Sequence, residues 1–176
     1  MKTSIRRFDQ KVERLVKRLP RSVHGFMEFM TLLGQPPVTV GLATAVIGYG
    51  AALEKTHFVV SGTIAIGTIT FASLLKLALR RARPINDYVK NMFFHTYSFP
   101  SGHAAGAVAS LGLAAILLSE RIPEYTVAFC ITAAAISLFI GVSRVYLGAH
   151  YASDVVGGWI VGIIGVIAIA IIEIES

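Results

Sequence analysis

Five long apolar stretches restrict the possible folds of this chain more than any other feature of its sequence. They cover residues 38–53, 58–79, 104–119, 126–142 and 155–172. A helix crosses the hydrocarbon of a bilayer with about 20 apolar residues, and in lipid its backbone hydrogen bonds must be satisfied within the segment itself. The pattern therefore predicts an all-α fold, a polytopic bundle of about five transmembrane helices.

The composition of the chain excludes a water-soluble globular domain. Hydrophobic residues make up 55% of the chain, charged residues 15%, and the mean hydropathy is +0.68. A soluble domain needs more polar surface than this to cover its core. The apolar segment 26–33 is too short to span a bilayer, so we expect an interfacial or re-entrant piece ahead of Pro36-Pro37. We assign residues 26–176 to one transmembrane domain.

The N-terminal arm, residues 1–25, differs from the rest of the chain in charge. Eight of the sixteen Lys and Arg residues lie within positions 1–21, and apolar residues recur between them at spacings of three and four (Ile5, Phe8, Val12, Leu15, Val16 and Leu19). This pattern predicts a basic amphipathic helix that lies on an anionic membrane surface. A basic arm can also bind nucleic acid, but we expect no such partner because everything downstream belongs in lipid.

The distribution of basic residues predicts the orientation of the bundle. With five spans, the arm, the long connection 80–100 and the segment 144–154 share one face, which carries 14 Lys and Arg residues against two on the other. Three of the 14 belong to the chemical clusters described next, and eleven against two is still lopsided. The positive-inside rule then places this face on the cytoplasmic side of the cell membrane.

The first chemical cluster is a pair of cations at the end of the second stretch. Lys76 lies inside the apolar segment, and Arg83 follows seven residues later, directly before Pro84. On a helix that continued to Pro84 the two side chains would share a face. Two cations on one face at a membrane boundary suit an anion, although a snorkelling lysine with ordinary positive flanks explains the same pattern.

The second cluster, Pro100-Ser101-Gly102-His103, stands immediately before the third stretch. A helix start leaves backbone N–H groups free and favours negative charge, Ser101 adds a hydroxyl, and Gly102 lets a phosphate approach the backbone. His103 would then lie in the first turn, over the bound group. A plain helix start with Ser101 as N-cap explains the first three residues equally well, but not His103 at a membrane boundary.

The third cluster runs from Ser143 to Asp154. His150 and Asp154 are four residues apart and would face each other on a helix that begins near Gly148. A carboxylate on one ring nitrogen leaves the other as a nucleophile or base, and Arg144 offers a planar fork for phosphate oxygens. A capped helix start with an exposed His/Asp pair is the alternative. One His and one Asp are too few ligands for a metal site.

The three clusters together supply three cations, helix-start amides, two histidines and a carboxylate on one membrane face. This inventory suits phosphoryl transfer, in which a protein mainly neutralises charge and positions attack, with one histidine attacking and the other protonating the leaving oxygen. A small transporter or anion-binding protein could use the same charges, but its charges would lie near mid-membrane. A silent membrane scaffold would have no use for both histidines.

In their order along the chain, the three clusters resemble the signature of the type 2 phosphatidic acid phosphatase superfamily, the lipid phosphate phosphatases. That signature reads K-x6-R-P, P-S-G-H and S-R-x5-H-x3-D, and residues 76–84, 100–103 and 143–154 match it without departure. The resemblance, over about residues 26–172, implies a membrane enzyme that removes the terminal phosphate of a lipid phosphate or diphosphate, of the phosphatidylglycerophosphate, phosphatidic acid or polyprenyl type. Six-span relatives generally turn the active site outward, so the cytoplasmic face expected here departs from them.

The resemblance also implies a role for each matched residue. His150 would become a phosphohistidine, Asp154 would orient it, and His103 would be the general acid toward the leaving group. Five residues would hold the phosphoryl oxygens: Lys76, Arg83, Ser101, Gly102 and Arg144. The family needs neither a metal nor a cofactor, so we expect none, and the partners would be the lipid substrate and anionic membrane lipids. Independently of the resemblance, the loop 87–99, with His95, Tyr97 and Phe99, is expected to shape the entrance, with simple loop packing as the alternative.

Overall fold

The chain folds as a bundle of helices. The computed structural model describes residues 2–92 and 96–174, and within these residues it contains helices and turns but no strand. The helices are α1 (Lys2–Val16), α2 (His24–Leu33), α3 (Pro36–Ala52), α4 (Thr56–Leu79), α5 (Asp87–Lys90), α6 (Gly102–Arg121), α7 (Thr126–Tyr146) and α8 (Ala152–Ile174). The all-α prediction is confirmed. His95 and the last two residues of the predicted domain lie outside the described residues.

Four of these helices, α4, α6, α7 and α8, are long and apolar enough to cross a membrane. The predicted first span corresponds to α3, which has only 17 residues and passes the same test only together with the preceding segment. The two pieces, Arg21–Leu33 and Pro36–Ala52, are bent by 44° at the break that Gly34 and Gln35 form. The structure thus supports four spans, or five with this broken pair, in agreement with the prediction of about five.

Helix α6 lies at the centre of the bundle, in contact with α3, α4, α7 and α8. Its buried positions carry small residues, among them Ala104, Ala105 and Ala109, each fully buried. Small residues let helices approach closely where no hydrophobic effect drives them together. At Gly162 of α8 an added Cβ would lie 2.9 Å from the carbonyl oxygen of Ala105, so this position needs glycine. The rigid core fixes the ends of the helices that carry the chemical clusters.

Two turns of the chain and one hydrogen bond between them bring those clusters to one end of the bundle. Helix α4 ends at Arg80, whose φ of 48° is left-handed and stops the helix. The turn between α7 and α8 uses Gly148 at φ 71°, a conformation that glycine adopts without strain. Asn86 of the long loop donates from Nδ2 to the carbonyl oxygen of Gly148 at 2.7 Å. This hydrogen bond ties the loop after α4 to the turn before α8.

The N-terminal helix α1 packs on the same end of the bundle, against α7 and α8. Val12 and Val16 contact the buried cluster of Ala104, Val145, Ala152 and Val155. The structure therefore has a helix in this arm, which ends at Val16 and is docked on the bundle by part of its apolar face. Its placement on an anionic membrane surface stays a prediction.

Candidate active site

His150 is the centre of the site, in the turn between α7 and α8, with 3% of its surface exposed. Its Nε2 atom lies 3.3 Å from the Nη1 atom of Arg83. A guanidinium has only donors, so Nε2 accepts this hydrogen bond and the ring proton resides on Nδ1. The geometry thus selects the tautomer whose Nε2 lone pair is directed at the Arg83 cation. The same cation would attract a phosphoryl group to this side of the ring.

Asp154 stands behind His150, on the first turn of α8, and is fully buried. One carboxylate oxygen, Oδ2, lies 3.6 Å from Nδ1 of His150, which is an ion-pair distance and longer than a hydrogen bond. The same oxygen accepts from the Ser98 hydroxyl and, at 2.9 Å, from the backbone N–H of Tyr151. Helix α8 begins at Ala152 and not near Gly148, yet the predicted pairing of His150 with Asp154 is present.

Arg83 reaches His150 from extended chain and not from a helix. The helical continuation from Lys76 to Arg83 considered in the sequence is wrong, because the left-handed Arg80 ends α4 four residues after Lys76. The guanidinium is held instead by Thr96, whose carbonyl oxygen accepts from Nε at 2.7 Å, and by the carbonyl oxygen of Ala149 at 3.0 Å. Arg83 thereby connects the long loop to the turn that carries His150.

Lys76 and the start of α6 form the next wall of the site. The Nζ atom of Lys76 donates to the carbonyl oxygen of Pro100 at 2.6 Å, and its chain would touch a Cβ added at Gly102 at 3.6 Å. Ser101 is fully buried, and its hydroxyl accepts from the N–H of Ala104 at 3.4 Å as the N-cap of α6. The N-cap alternative for Ser101 is thus what the structure contains, and its expected phosphate contact stays a prediction.

The other general acid–base candidate, His103, is half-buried in the first turn of α6. It lies close enough to Arg144, His150, Lys76 and Arg83 for their charges to act on its ring. The second and third clusters of the sequence therefore face each other at this end of the bundle. The two histidines belong to one site, as the proposed division of labour requires.

Arg144 closes the site from α7, with only 1% of its surface exposed. Its Nη1 atom donates to the hydroxyls of Thr31 and Tyr88, both at 3.3 Å. Its Nε atom is buried and has no hydrogen-bond partner in the described part of the chain. A buried guanidinium with an unused donor is costly unless an anion completes it, so this donor suits a phosphate oxygen.

Burial determines the charge state of the central histidine. It lowers the pKa of His150 to about 3, and the positive charges of Lys76, Arg144 and Arg83 act in the same direction, whereas Asp154 opposes them. Burial also lowers the pKa of Arg83, and the charge of Arg144 adds to that effect, but a guanidinium stays protonated at neutral pH. His150 is therefore neutral and keeps a lone pair on Nε2, in a ring of fixed cations.

Several residues of this network were not singled out from the sequence. Arg81 donates from Nη1 to the second oxygen of Asp154, Oδ1, at 2.6 Å. In the sequence it is one of three arginines in a short run and looks like a positive flank. Ser98, Thr31 and Tyr88 gave no signal, because each becomes a partner only through contacts far along the chain.

Metal-ligand side chains converge elsewhere in the molecule. Within the described residues, His57, Glu120 and Glu173 form one group whose ligand atoms lie within 4.8 Å of one another. They stand at the start of α4 and the ends of α6 and α8, at the opposite end of the bundle from His150. The side chains around His150 are mostly cations, which suits a bound anion and not a metal ion.

Comparison with curated proteins identifies similar phosphatases. The chain is 34% identical over 94 residues to phosphatidylglycerophosphatase B of Bacillus subtilis, covering 52% of this chain and 45% of that protein. It is 40% identical over 101 residues to lipid A 1-phosphatase of Rhizobium etli, covering 50% of this chain and 40% of that one. The chain thus aligns with less than half the length of these relatives.

The fold is also found among solved structures. The crystal structure of a transmembrane PAP2 type phosphatidylglycerolphosphate phosphatase from Bacillus subtilis superimposes with a TM-score of 0.83 at 23% identity. The superposition covers 98% of this chain and 87% of that one. At this identity the likeness establishes the fold alone, and it includes nearly the whole of the chain.

A family model decides the classification. The model of the PAP2 superfamily matches residues 56–174, which include all three chemical clusters and the helices α4, α6, α7 and α8. The match covers more than half of the chain and includes Lys76, His103 and His150. The resemblance noted in the sequence is confirmed, and the chain belongs to the PAP2 superfamily.

Proposed function

We propose that this protein is an integral membrane phosphatase that hydrolyses the terminal phosphate of a lipid phosphate or diphosphate through a phosphohistidine at His150. The observation that carries this proposal is the neutral, buried His150, whose Nε2 lone pair faces Arg83 while Asp154 stands behind its other nitrogen. Neutral imidazole next to fixed cations is the arrangement that a phosphoryl acceptor needs.

The first half-reaction transfers the phosphoryl group to the protein. Nε2 of His150 attacks phosphorus, a new P–N bond forms, and the bond from phosphorus to the leaving oxygen breaks. His103 gives its proton to that oxygen, so the lipid leaves as an alcohol, or as a lipid monophosphate when the substrate is a diphosphate. The positive charges of Lys76, Arg83 and Arg144 offset the negative charge that the equatorial oxygens carry in the transition state.

The second half-reaction regenerates the protein with water. His103, now without its proton, accepts a proton from water as the oxygen attacks phosphorus and the P–N bond breaks. Inorganic phosphate leaves, and both histidines return to their starting states. During the step in which His150 carries the phosphoryl group, the carboxylate of Asp154 would stabilise the positive charge on the imidazole ring. The amides at Ser101 and Gly102 complete the proposed binding of the phosphoryl oxygens.

The substrate reaches this site from the bilayer, since the cations stand at the ends of apolar helices. Phosphatidylglycerophosphate, phosphatidic acid and polyprenyl phosphates or diphosphates all present the same terminal phosphoryl group beside an apolar chain. The relatives, a phosphatidylglycerophosphatase and a lipid A 1-phosphatase, support this class without separating its members.

We infer that residues 1–25 lie on the membrane surface beside the phosphatase domain, residues 26–176. The apolar side chains of Ile5, Phe8 and Leu15 are between 41% and 53% exposed on α1, although the same helix is rich in cations. Apolar side chains and cations exposed together suit the headgroup region of an anionic leaflet. The excess of basic residues at this end supports a cytoplasmic site in the cell membrane.

Cysteine labelling would test the orientation. In a Cys130→Ser background, single cysteines at Ile85 (93% exposed, at the site end) and Tyr125 (56% exposed, in the turn at the opposite end) would be treated with an impermeant maleimide on intact cells. We expect labelling at position 125 and protection at position 85 until the membrane is opened. Labelling at position 85 in intact cells would place the site outside.

Phosphate release by the purified protein in detergent, with a chelator present, would test the activity. The substrates are phosphatidic acid, phosphatidylglycerophosphate and a polyprenyl diphosphate, with His150→Ala as the inactive variant and His57→Ala as the matched histidine control. His57 lies at the opposite end of the bundle. We expect release by the wild type and the control but not by His150→Ala. No release from any substrate would favour the anion-binding alternative.

A further inference from the structure

The N-terminal helix α1 places one buried carboxylate, Asp9, against the start of α8. Asp9 is only 5% exposed, although the residues on both sides of it in α1 are exposed. Its Oδ1 accepts from the backbone N–H of Ser153 at 2.8 Å, and its Oδ2 accepts from the Ser153 hydroxyl at 2.9 Å. Asp9 therefore caps the helix that carries Asp154, from a different part of the chain.

Arg81 connects Asp9 to the site. Its Nη2 atom donates to Oδ2 of Asp9 at 2.8 Å, and its Nη1 atom donates to Oδ1 of Asp154 at 2.6 Å. The guanidinium also lies 4.4 Å from the ring centroid of Tyr151, which restrains its plane. The contacts thus run without a break from Asp9 through Arg81 to Asp154. They end at His150, the proposed nucleophile.

We propose that Asp9 is a positioning residue of the active site, which holds Arg81 and α8 so that Asp154 supports His150. The inference rests on the function proposed above and deepens it, because it assigns a catalytic consequence to the docking of the surface helix α1. Without Asp9, the charge of Arg81 would act on Asp154 alone and draw the carboxylate toward itself. The other oxygen of Asp154, Oδ2, would then support His150 less well.

The chemistry of the contact requires a carboxylate. Asp9 receives three donors on two oxygens, one of them charged. An asparagine has one acceptor oxygen and an NH₂ group, so in Asp9→Asn a donor would face either Arg81 or Ser153. The packing of Val12 and Val16 on the bundle would be unchanged. Asp9→Asn therefore removes the charge and leaves the apolar docking of α1 in place.

The test compares Asp9→Asn with the matched control Glu13→Gln in the full-length protein in detergent. Glu13 is on the same helix and pairs with Lys17, with 44% of its side chain exposed. We expect kcat of Asp9→Asn to fall about tenfold, the usual weight of one charge-assisted hydrogen bond, with KM within about twofold of the wild type. Glu13→Gln should keep both constants.

Trypsin cleavage separates positioning from simple undocking, because α1 is rich in Lys and Arg. The proposal expects Asp9→Asn to lose kcat while the rate of cleavage in α1 stays that of the wild type. It is overturned if kcat stays within twofold of the wild type, or if cleavage accelerates in step with the loss of activity. A wild type that releases no phosphate from any lipid would instead contradict the proposed function.

Discussion

Asp154→Asn would test most directly how the site activates its nucleophile. The substitution keeps the size of the side chain and an acceptor for Ser98 or Tyr151, but it removes the negative charge behind His150. It also leaves the cation of Arg81 beside a neutral amide. Because the lost charge faces Nδ1 of His150 and not the bound phosphate, we expect the loss in kcat and not in KM.

The distance in the structure gives the magnitude. A full charge pair separated by the 3.6 Å between Asp154 and His150 is worth about 5 kcal/mol at an effective dielectric constant of about 20. Arg81, at 2.6 Å from the other oxygen, offsets part of the carboxylate charge. If Arg81 offsets about half of the interaction, the carboxylate still contributes about 2.5 to 3 kcal/mol, and Asp154→Asn removes this contribution. The kcat should then fall about 100-fold, with about 1000-fold as an upper range.

The assay is phosphate release by monodisperse protein in detergent, over a range of lipid concentrations that defines kcat and KM. Asp87→Asn is the matched control, because the Asp87 side chain is 91% exposed and pairs only with Lys90 among the described residues. The control should keep wild-type constants. A fall of less than about tenfold in a folded Asp154→Asn protein would refute the reasoning, since the carboxylate would then not support His150.

Three further outcomes are expected. Arg83→Lys should lower kcat/KM about 100-fold in the release assay, because one lysine cannot make the hydrogen bonds to Thr96, Ala149 and His150 together. The matched control Arg80→Lys, at an exposed position, should keep the wild-type kcat/KM, and equal losses in the two variants would contradict this role of Arg83. The pKa of His150 is lowered from 6.5 to about 3, so between these pH values the unfolded chain binds a proton at His150 that the folded chain does not bind. The free energy of unfolding should therefore rise with pH in this window, by up to about 1.4 kcal/mol per pH unit. Thermal unfolding of the wild type should therefore depend on pH more steeply than that of His150→Gln, and equal slopes would contradict the buried neutral state. A chelator should leave the rate of phosphate release unchanged within about twofold, and a rate that is lost with chelator and restored by Mg²⁺ would overturn the metal-free mechanism.

The spans and the three clusters could be predicted because their signals are local. A run of apolar residues fixes a membrane helix by its own length, and α4, α6, α7 and α8 contain the predicted stretches. The spacing of His150 and Asp154 fixes their pairing within one turn of chain. The helix ends were predicted less well. Arg80 stops α4 in a left-handed conformation, which glycine or asparagine usually adopts and which an arginine in the sequence does not indicate.

The supporting residues could not be predicted because their partners lie far along the chain. Asp9 meets Ser153, and Thr31 meets Ser143, across more than a hundred residues of sequence. In the sequence Asp9 is one of two acids, with Glu13, among the cations of an amphipathic helix, where an exposed carboxylate is the ordinary expectation. Only the docking of α1 on α8 turns it into a buried group.

The balance of charge indicates which ligand the site selects. Apart from His103, whose proton the proposed reaction transfers, the site holds a neutral His150, four cations and two carboxylates, which leaves an excess of two positive charges (Lys76, Arg81, Arg83, Arg144, Asp9 and Asp154). A phosphate monoester carries a charge of about −1.5 to −2 at pH 7, so binding one would bring the site close to neutrality. The excess resides on Lys76, Arg83 and Arg144, since Asp9 and Asp154 enclose Arg81. Asp9 therefore keeps the cation behind the nucleophile from competing with those in front of it, and the phosphoryl group is drawn to the side of His150 where the lone pair is free.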